Sequence, residues 1–146
     1  MDLATLLEAD RIALDTAVFI YFMEENPEFL PKVVPIFEAI AAGQVAAVTS
    51  ALTLLEVMVL PLRNGDTATA QHYEQLFSQS RGLTLADIDH AVWRRAAELR
   101  ATAKIRTPDA IQLATAICTS CRYFVTNDRA LADAGGVSVV QLRDLW

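Results

Sequence analysis

Positive charge is scarce in this sequence: twelve Lys and Arg face eighteen Asp and Glu, for a net charge of −6. Tight nonspecific binding to nucleic acid comes mainly from a basic surface that releases counterions, so the chain acting alone is not a protein of that class. Any nucleic acid must be held locally, by a metal, or with a partner's help. Cysteine is scarce too. Cys118 and Cys121 close a helical stretch rather than open one after a strand, and no second pair exists to complete a zinc site. Both are expected to be buried, inert thiols. Glycine and proline number five each and no low-complexity run occurs, which excludes a disordered or fibrous chain. The least charged stretch, residues 39–62, is broken by Gly43, Gln44, Thr49 and Ser50, so it reads as helix, strand and helix, and no membrane span is expected. Residues 1–10, MDLATLLEAD, lack the basic start and apolar core of a secretory leader, and the expected location is cytoplasmic.

What is abundant is apolar residues, 53% of 146, enough for one domain with a sizeable core. We expect a single domain over 1–146, with 1–10 as an N-terminal extension that packs as a short helix. Five short segments read as strands: Arg11–Asp15, Val45–Thr49, Leu83–Ala86, Tyr123–Thr126 and Val137–Gln141. Between them the apolar spacing is helical. One helix ends at Gly43; Ser50 caps the next, which Pro61 and Asn64-Gly65 end. Residues 90–104 are amphipathic, with Val92, Trp93, Ala96, Ala97 and Leu99 toward the core and Arg94, Arg95, Glu98 and Arg100 toward water. A further helix opens at TPDAIQLATAI, with Thr107 as N-cap, Pro108 at the first helical position and Asp109 in the first turn. Strands alternating with helices predict a three-layer α/β/α domain around a parallel sheet of four to five strands. Ligands in such sheets bind beyond the carboxyl ends of the strands.

Four carboxylates stand in apolar surroundings at or near those ends. Asp15 ends the first strand, Asp128 follows the strand YFVT, Asp109 opens the helix before that strand, and Glu56 is the only charge in ALTLLEVMVLPL. Each has a plain structural alternative. Asp15 can cap a strand end, Asp128 can form an Asn-Asp turn capping a helix over RALADAG, and Asp109 suits a helix start. Glu56 is different, because an unpaired ion inside an apolar helix is costly, and the bland alternative requires a buried basic partner that the sequence does not offer. Parallel connectivity lets Asp15, Glu56 and Asp128 share one rim, and the long connection through residues 90–104 brings Asp109 to it. Such a group repels itself unless some members are protonated or a cation binds. Oxygen-only ligands favour a hard divalent ion, Mg²⁺ or Mn²⁺.

In order and spacing, ALDTAVFIYF, the lone glutamate in TSALTLLEV, RTPDAIQLATA and FVTNDRAL resemble the four acidic motifs of PIN-domain ribonucleases, a family that includes the VapC toxins of bacterial toxin–antitoxin pairs. The resemblance spans residues 11 to about 141. It implies a PIN-like fold and an acidic pocket holding one or two Mg²⁺ or Mn²⁺ ions that hydrolyse RNA phosphodiester bonds. Carried over by motif, Asp15, Glu56, Asp109 and Asp128 are the catalytic, metal-holding acids, and Thr126 is the polar residue that supports them. Ser50 and Asn127, beside the motifs, are assigned the same supporting part. Arg106 and Arg129 adjoin motif acids, where each can contact phosphate or neutralise a carboxylate. His72 and His90 lie outside the motifs and are expected at the surface. The resemblance further implies RNA as substrate, a homodimer, and a separate antitoxin protein whose tail occupies the pocket. Ala17 is a departure, since many family members carry Asn there.

A second reading is a non-catalytic PIN-like module that binds RNA or protein and keeps the acids as a relic metal site. Two other acidic-pocket α/β classes fit poorly. A phosphoacceptor receiver domain needs a lysine after its last-but-one strand, and neither Lys32 nor Lys104 qualifies; a haloacid-dehalogenase-type phosphatase needs a second Asp where this chain has Ala17.

Overall fold

Short apolar runs form the five strands of the computed structural model, which describes residues 1–146. They are β1 (Arg11–Leu14), β2 (Ala46–Ser50), β3 (Leu83–Ala86), β4 (Tyr123–Thr126) and β5 (Ser138–Gln141). All pair in parallel in the order β3-β2-β1-β4-β5, with Ile12 opposite Ala47 on one side and Tyr123 on the other. The expected parallel sheet is therefore present with five strands. Its order reverses between β1 and β4, and a crevice opens at such a point beyond the carboxyl ends of the strands.

Seven helices surround the sheet: α1 (Leu3–Leu7), α2 (Thr16–Met23), α3 (Leu30–Ala41), α4 (Ala51–Arg63), α5 (Thr67–Gln79), α6 (His90–Thr102) and α7 (Thr107–Cys118). Side chains alternate between the faces of each strand, and the core divides accordingly. Ile12, Leu14, Ala47, Tyr123 and Val125 face α1, α2, α3 and α5, where Phe19 packs against Phe37 and Phe77 at centroid distances of 5.6 and 5.0 Å. Ala13, Val48 and Phe124 face the other way, onto Leu113 and Ala116 of α7. No helix is long and apolar enough to cross a membrane.

Local chemistry sets most boundaries. Ser50 Oγ accepts from the Leu52 N–H at 3.1 Å and starts α4; Asp66 and Asp89 cap α5 and α6 in the same way. Gly43 follows α3 with φ +75°, the left-handed conformation that terminates helices.

Several expectations need correction. Helix α4 runs through Pro61 and ends at Arg63, because a proline there removes only one hydrogen bond, near the helix end. Helix α7 starts one residue early, so Thr107 is its first residue and Arg106 its cap position, without a side-chain cap. Residues 129–135 form no helix. Asp128 Oδ1 accepts from the Ala130 N–H at 2.9 Å, the chain bridges Ala134 to Val137, and Gly135 and Gly136 take positive φ, all turn geometry. Trp93 and Ala97 on α6 are exposed, and the helix ends at Thr102. Only Val92 and Ala96 of its apolar face are buried, because a single partner helix, α7, covers a narrow stripe. Cys121 is buried, but Cys118 faces solvent.

Candidate functional site

At the crevice, the ends of β1 and β4 are joined by the Asp15 N–H to the Val125 carbonyl at 2.9 Å and by one side-chain hydrogen bond. Thr126, fully buried at the end of β4, donates its hydroxyl to Asp15 Oδ2 at 2.6 Å and accepts the Asp128 N–H at 3.0 Å. A single threonine thus joins two of the acids. Asp15 Oδ1 accepts from the Thr16 N–H at 2.8 Å, so Asp15 is also the cap of α2. Its carboxyl is nonetheless held above the usual carboxylate range. Burial is the main cause, opposed by the Thr126 and Thr16 hydrogen bonds and reinforced by the negative charges of Asp109 and Glu56.

Asp109 reaches the same edge from the first turn of α7. Burial raises its carboxyl too, Arg106 counters that, and Asp128 raises it again. Arg106 Nε lies 3.2 Å from Asp109 Oδ2, its side chain 80% exposed. Asp109 and Asp128 line a shallow hollow of about 210 Å³ with Lys104, Arg106 and Leu131. Glu56 opens instead onto a larger cleft of about 470 Å³ between α2, α4 and α5, shared with Glu24, Asp66, His72 and Tyr73.

Glu56 has no basic partner. A neutral donor stabilises it: Thr16 Oγ1 donates to Glu56 Oε1 at 2.8 Å, with the amide of Gln112 behind it, its Nε2 3.4 Å from the same oxygen. The sequence reading, which asked for a cation, missed this network of Thr16, Thr49, Thr53 and Gln112. A usable signal was present, because Thr53 precedes Glu56 by three residues and Gln112 follows Asp109 by three, so each polar residue shares a helix face with an acid.

The remaining site candidates face elsewhere. Ser50 is spent on capping α4. Asn127 ties the end of β4 to the C-terminal segment, accepting the Arg143 N–H at 2.9 Å and lying 3.4 Å from the Tyr21 hydroxyl. Arg129 pairs with Asp144 at 3.7 Å rather than with a motif acid. His72 and His90 are exposed, as expected.

As a donor set, four carboxylates, two of which (Asp15 and Asp109) are raised partly by the negative charge of their neighbours, suit a hard divalent cation. Their spacing is looser than a closed cage, for no three of them converge on one point at coordinating distance. Glu56 lines one hollow and Asp109 and Asp128 line the other, where Arg106 holds Asp109; Asp15 lines neither.

The sequence matches the PIN domain model over residues 12–137. No curated protein gives a significant match. Among solved structures, a toxin–antitoxin complex from Klebsiella pneumoniae is 25% identical with a TM-score of 0.65, covering 86% of this chain and 94% of that one. FitAcB from Neisseria gonorrhoeae is 23% identical, TM-score 0.66, over 92% and 99%. VapBC2 from Rickettsia felis, bound to a promoter DNA fragment, is 16% identical, TM-score 0.72, over 90% and 98%. These likenesses bear on the fold.

Proposed function

The chain belongs to the PIN-domain family, and on that premise we propose that it is a metal-dependent endoribonuclease, the toxin of a toxin–antitoxin pair. Asp15, Glu56, Asp109 and Asp128 hold Mg²⁺ or Mn²⁺ in this reading, with Thr126 supporting Asp15. The observation that carries it is Asp15: a half-buried carboxylate at the point where the sheet order reverses, bound to Thr126 and repelled by Asp109 and Glu56. Bound among these acids, a divalent cation supplies charge to polarise a phosphodiester and to activate water.

The chain's own residues do the rest. Thr126 on Oδ2 and the Thr16 N–H on Oδ1 together keep both oxygens of Asp15 engaged, so that the carboxylate cannot swing away. Arg106 offers an exposed guanidinium beside Asp109 that can meet a phosphate once a cation takes over the carboxylate. Arg129, engaged with Asp144, is the weaker candidate for that role. The exposed Leu55, Val59, Leu60 and Leu62 on α4 support a protein partner, the separate antitoxin or a second copy of the chain in a homodimer. The substrate is RNA, and the cytoplasm is where the pair would act.

The looseness of the carboxylates and the alanine at position 17 favour a second reading, a PIN-like module that binds RNA or protein without cutting. The first experiment is a Mn²⁺ titration of the melting temperature of the wild type and of Asp109→Asn. A ligand at one hundred times its Kd stabilises the native state by about 2.7 kcal/mol. The nuclease reading expects that gain in the wild type and its loss in the variant. Equal responses from both, or none from either, would leave Asp109 as a helix-start residue only and refute the reading.

A further inference from the structure

Beneath Glu56 runs a chain of neutral hydrogen-bonding groups that metal binding as described leaves without a part. Gln112, on α7 one turn after Asp109, is buried. Its Nε2 lies 2.9 Å from Thr53 Oγ1, 3.2 Å from Thr16 Oγ1 and 3.4 Å from Glu56 Oε1. An ionised carboxylate can only accept, so the amide nitrogen must occupy this side.

From there each proton can be followed. The Thr49 hydroxyl gives its proton to the Leu14 carbonyl at 2.8 Å, immediately before Asp15. Thr53, 2.7 Å from Thr49 Oγ1, must therefore donate to it, and is left to accept from Gln112. Thr16 gives its proton to Glu56 Oε1 and accepts from the second N–H of Gln112. Each of these bonds then has one direction, the two branches from Gln112 end on the Leu14 carbonyl and on Glu56 Oε1, and the longer approaches of Thr16 Oγ1 to Thr53 Oγ1 at 3.3 Å and of Gln112 Nε2 to Glu56 Oε1 at 3.4 Å are left without a proton. Glu56 Oε2 receives no hydrogen bond from the protein.

We infer that Gln112, acting through Thr16, is a positioning residue that ties Glu56 Oε1 into the protein and leaves Oε2 free for a divalent cation. The inference rests on the reading of Glu56 as a metal-holding acid. A neutral amide suits the task because it orients the carboxylate without cancelling its charge; a lysine or arginine would compete with the cation. The same amide links α7, which carries Asp109, to α4, which carries Glu56, so it sets the relation between two of the acids.

The test is Mn²⁺ binding by titration calorimetry on the full chain, with melting of the metal-free protein recorded alongside. Gln112→Met keeps the volume and removes the donors, Thr16→Val removes the relay, and Thr16→Ser restores it. Losing a hydrogen-bond partner of a metal ligand costs about tenfold to a hundredfold in metal affinity. That loss is expected for Gln112→Met and Thr16→Val, with Thr16→Ser near wild type. In a Glu56→Gln background Gln112→Met should add less than about twofold, because independent effects add and these are not independent. If Gln112→Met does not fold, Thr16→Val decides. Mn²⁺ affinity unchanged in both variants, with only the melting temperature lowered, would overturn the inference, as would an undiminished effect in the Glu56→Gln background. A wild type that takes no Mn²⁺ would fell the metal reading and this inference together. If the wild type binds and Glu56→Gln weakens binding while Gln112→Met does not, the inference alone falls.

Discussion

Replacing Thr126 by Val keeps the shape of a fully buried side chain and removes one oxygen. Two interactions go with it: the donor to Asp15 Oδ2 at 2.6 Å and the acceptor for the Asp128 N–H at 3.0 Å. A hydrogen bond to an ionised group contributes about 1.5–3 kcal/mol and a neutral one about 1 kcal/mol, so the variant should lose roughly 2–4 kcal/mol. At about 3 °C per kcal/mol for a domain of this size, melting falls by about 6–12 °C. The loss should also depend on pH. Asp15 is raised in the folded state, mainly by burial. The metal-free protein therefore holds that proton more tightly folded than unfolded, and its stability declines as pH rises from the ordinary Asp range through the folded value. Thr126 opposes the shift, so in its absence the folded value climbs further and the decline extends to higher pH. The deficit of Thr126→Val is then largest where Asp15 is charged in both proteins and smallest on the acid side. Thermal unfolding followed by circular dichroism in EDTA, between about pH 4 and pH 8, measures it. A deficit of constant size across that series would refute the idea that Thr126 supports a charged carboxylate.

Arg106→Ala removes a largely exposed partner from Asp109, so stability should change by less than about 1 kcal/mol while Mn²⁺ binding stays as tight or tightens. Weaker binding in the same calorimetric titration would show that Arg106 orients Asp109 rather than competing for it. Of the two thiols, Cys118 should react with a disulfide reagent in the native protein and Cys121 only after unfolding. Burial pushes both thiols up, so modification of Cys118 should be slow at neutral pH and accelerate with base. Rapid reaction of two equivalents in the folded state would contradict the burial of Cys121.

The strands LTLA and YFVT were legible to the residue, because a short apolar run between turn signals has few other solutions in a chain this rich in helix. The position of Asp15 followed from the same logic. Trp93 was misread because periodicity shows that a helix has an apolar face without showing how much of it a neighbour covers. Residues 129–135 were misread as a helix because RALA favours one locally, while the Gly135-Gly136 pair and the bond from Ala130 to Asp128 settle the segment as a turn. The surroundings of Glu56 were legible only in part, as the spacing of Thr53 and Gln112 from the acids, for a different reason. The groups that touch it, Thr16 and Gln112, stand 40 and 56 residues away on α2 and α7, and only the packing of α2, α4 and α7 brings them to one place. Ser50, Asn127 and Arg129 stand close to the motif acids in sequence, but their hydrogen bonds lead away from them.

The bond between Thr126 and Asp15 joins residues 111 apart in the chain, and β1 gains its second neighbour only when β4 arrives. During synthesis the first three strands can pair while the rim they present lacks Asp109, Thr126 and Asp128 altogether. Contacts of such long sequence separation form late, after the entropy of closing the intervening loop has been met. Whatever chemistry the acids perform is thus withheld from the nascent chain, and a ribosome carrying only the first hundred or so residues exposes Asp15 and Glu56 as two unassembled side chains.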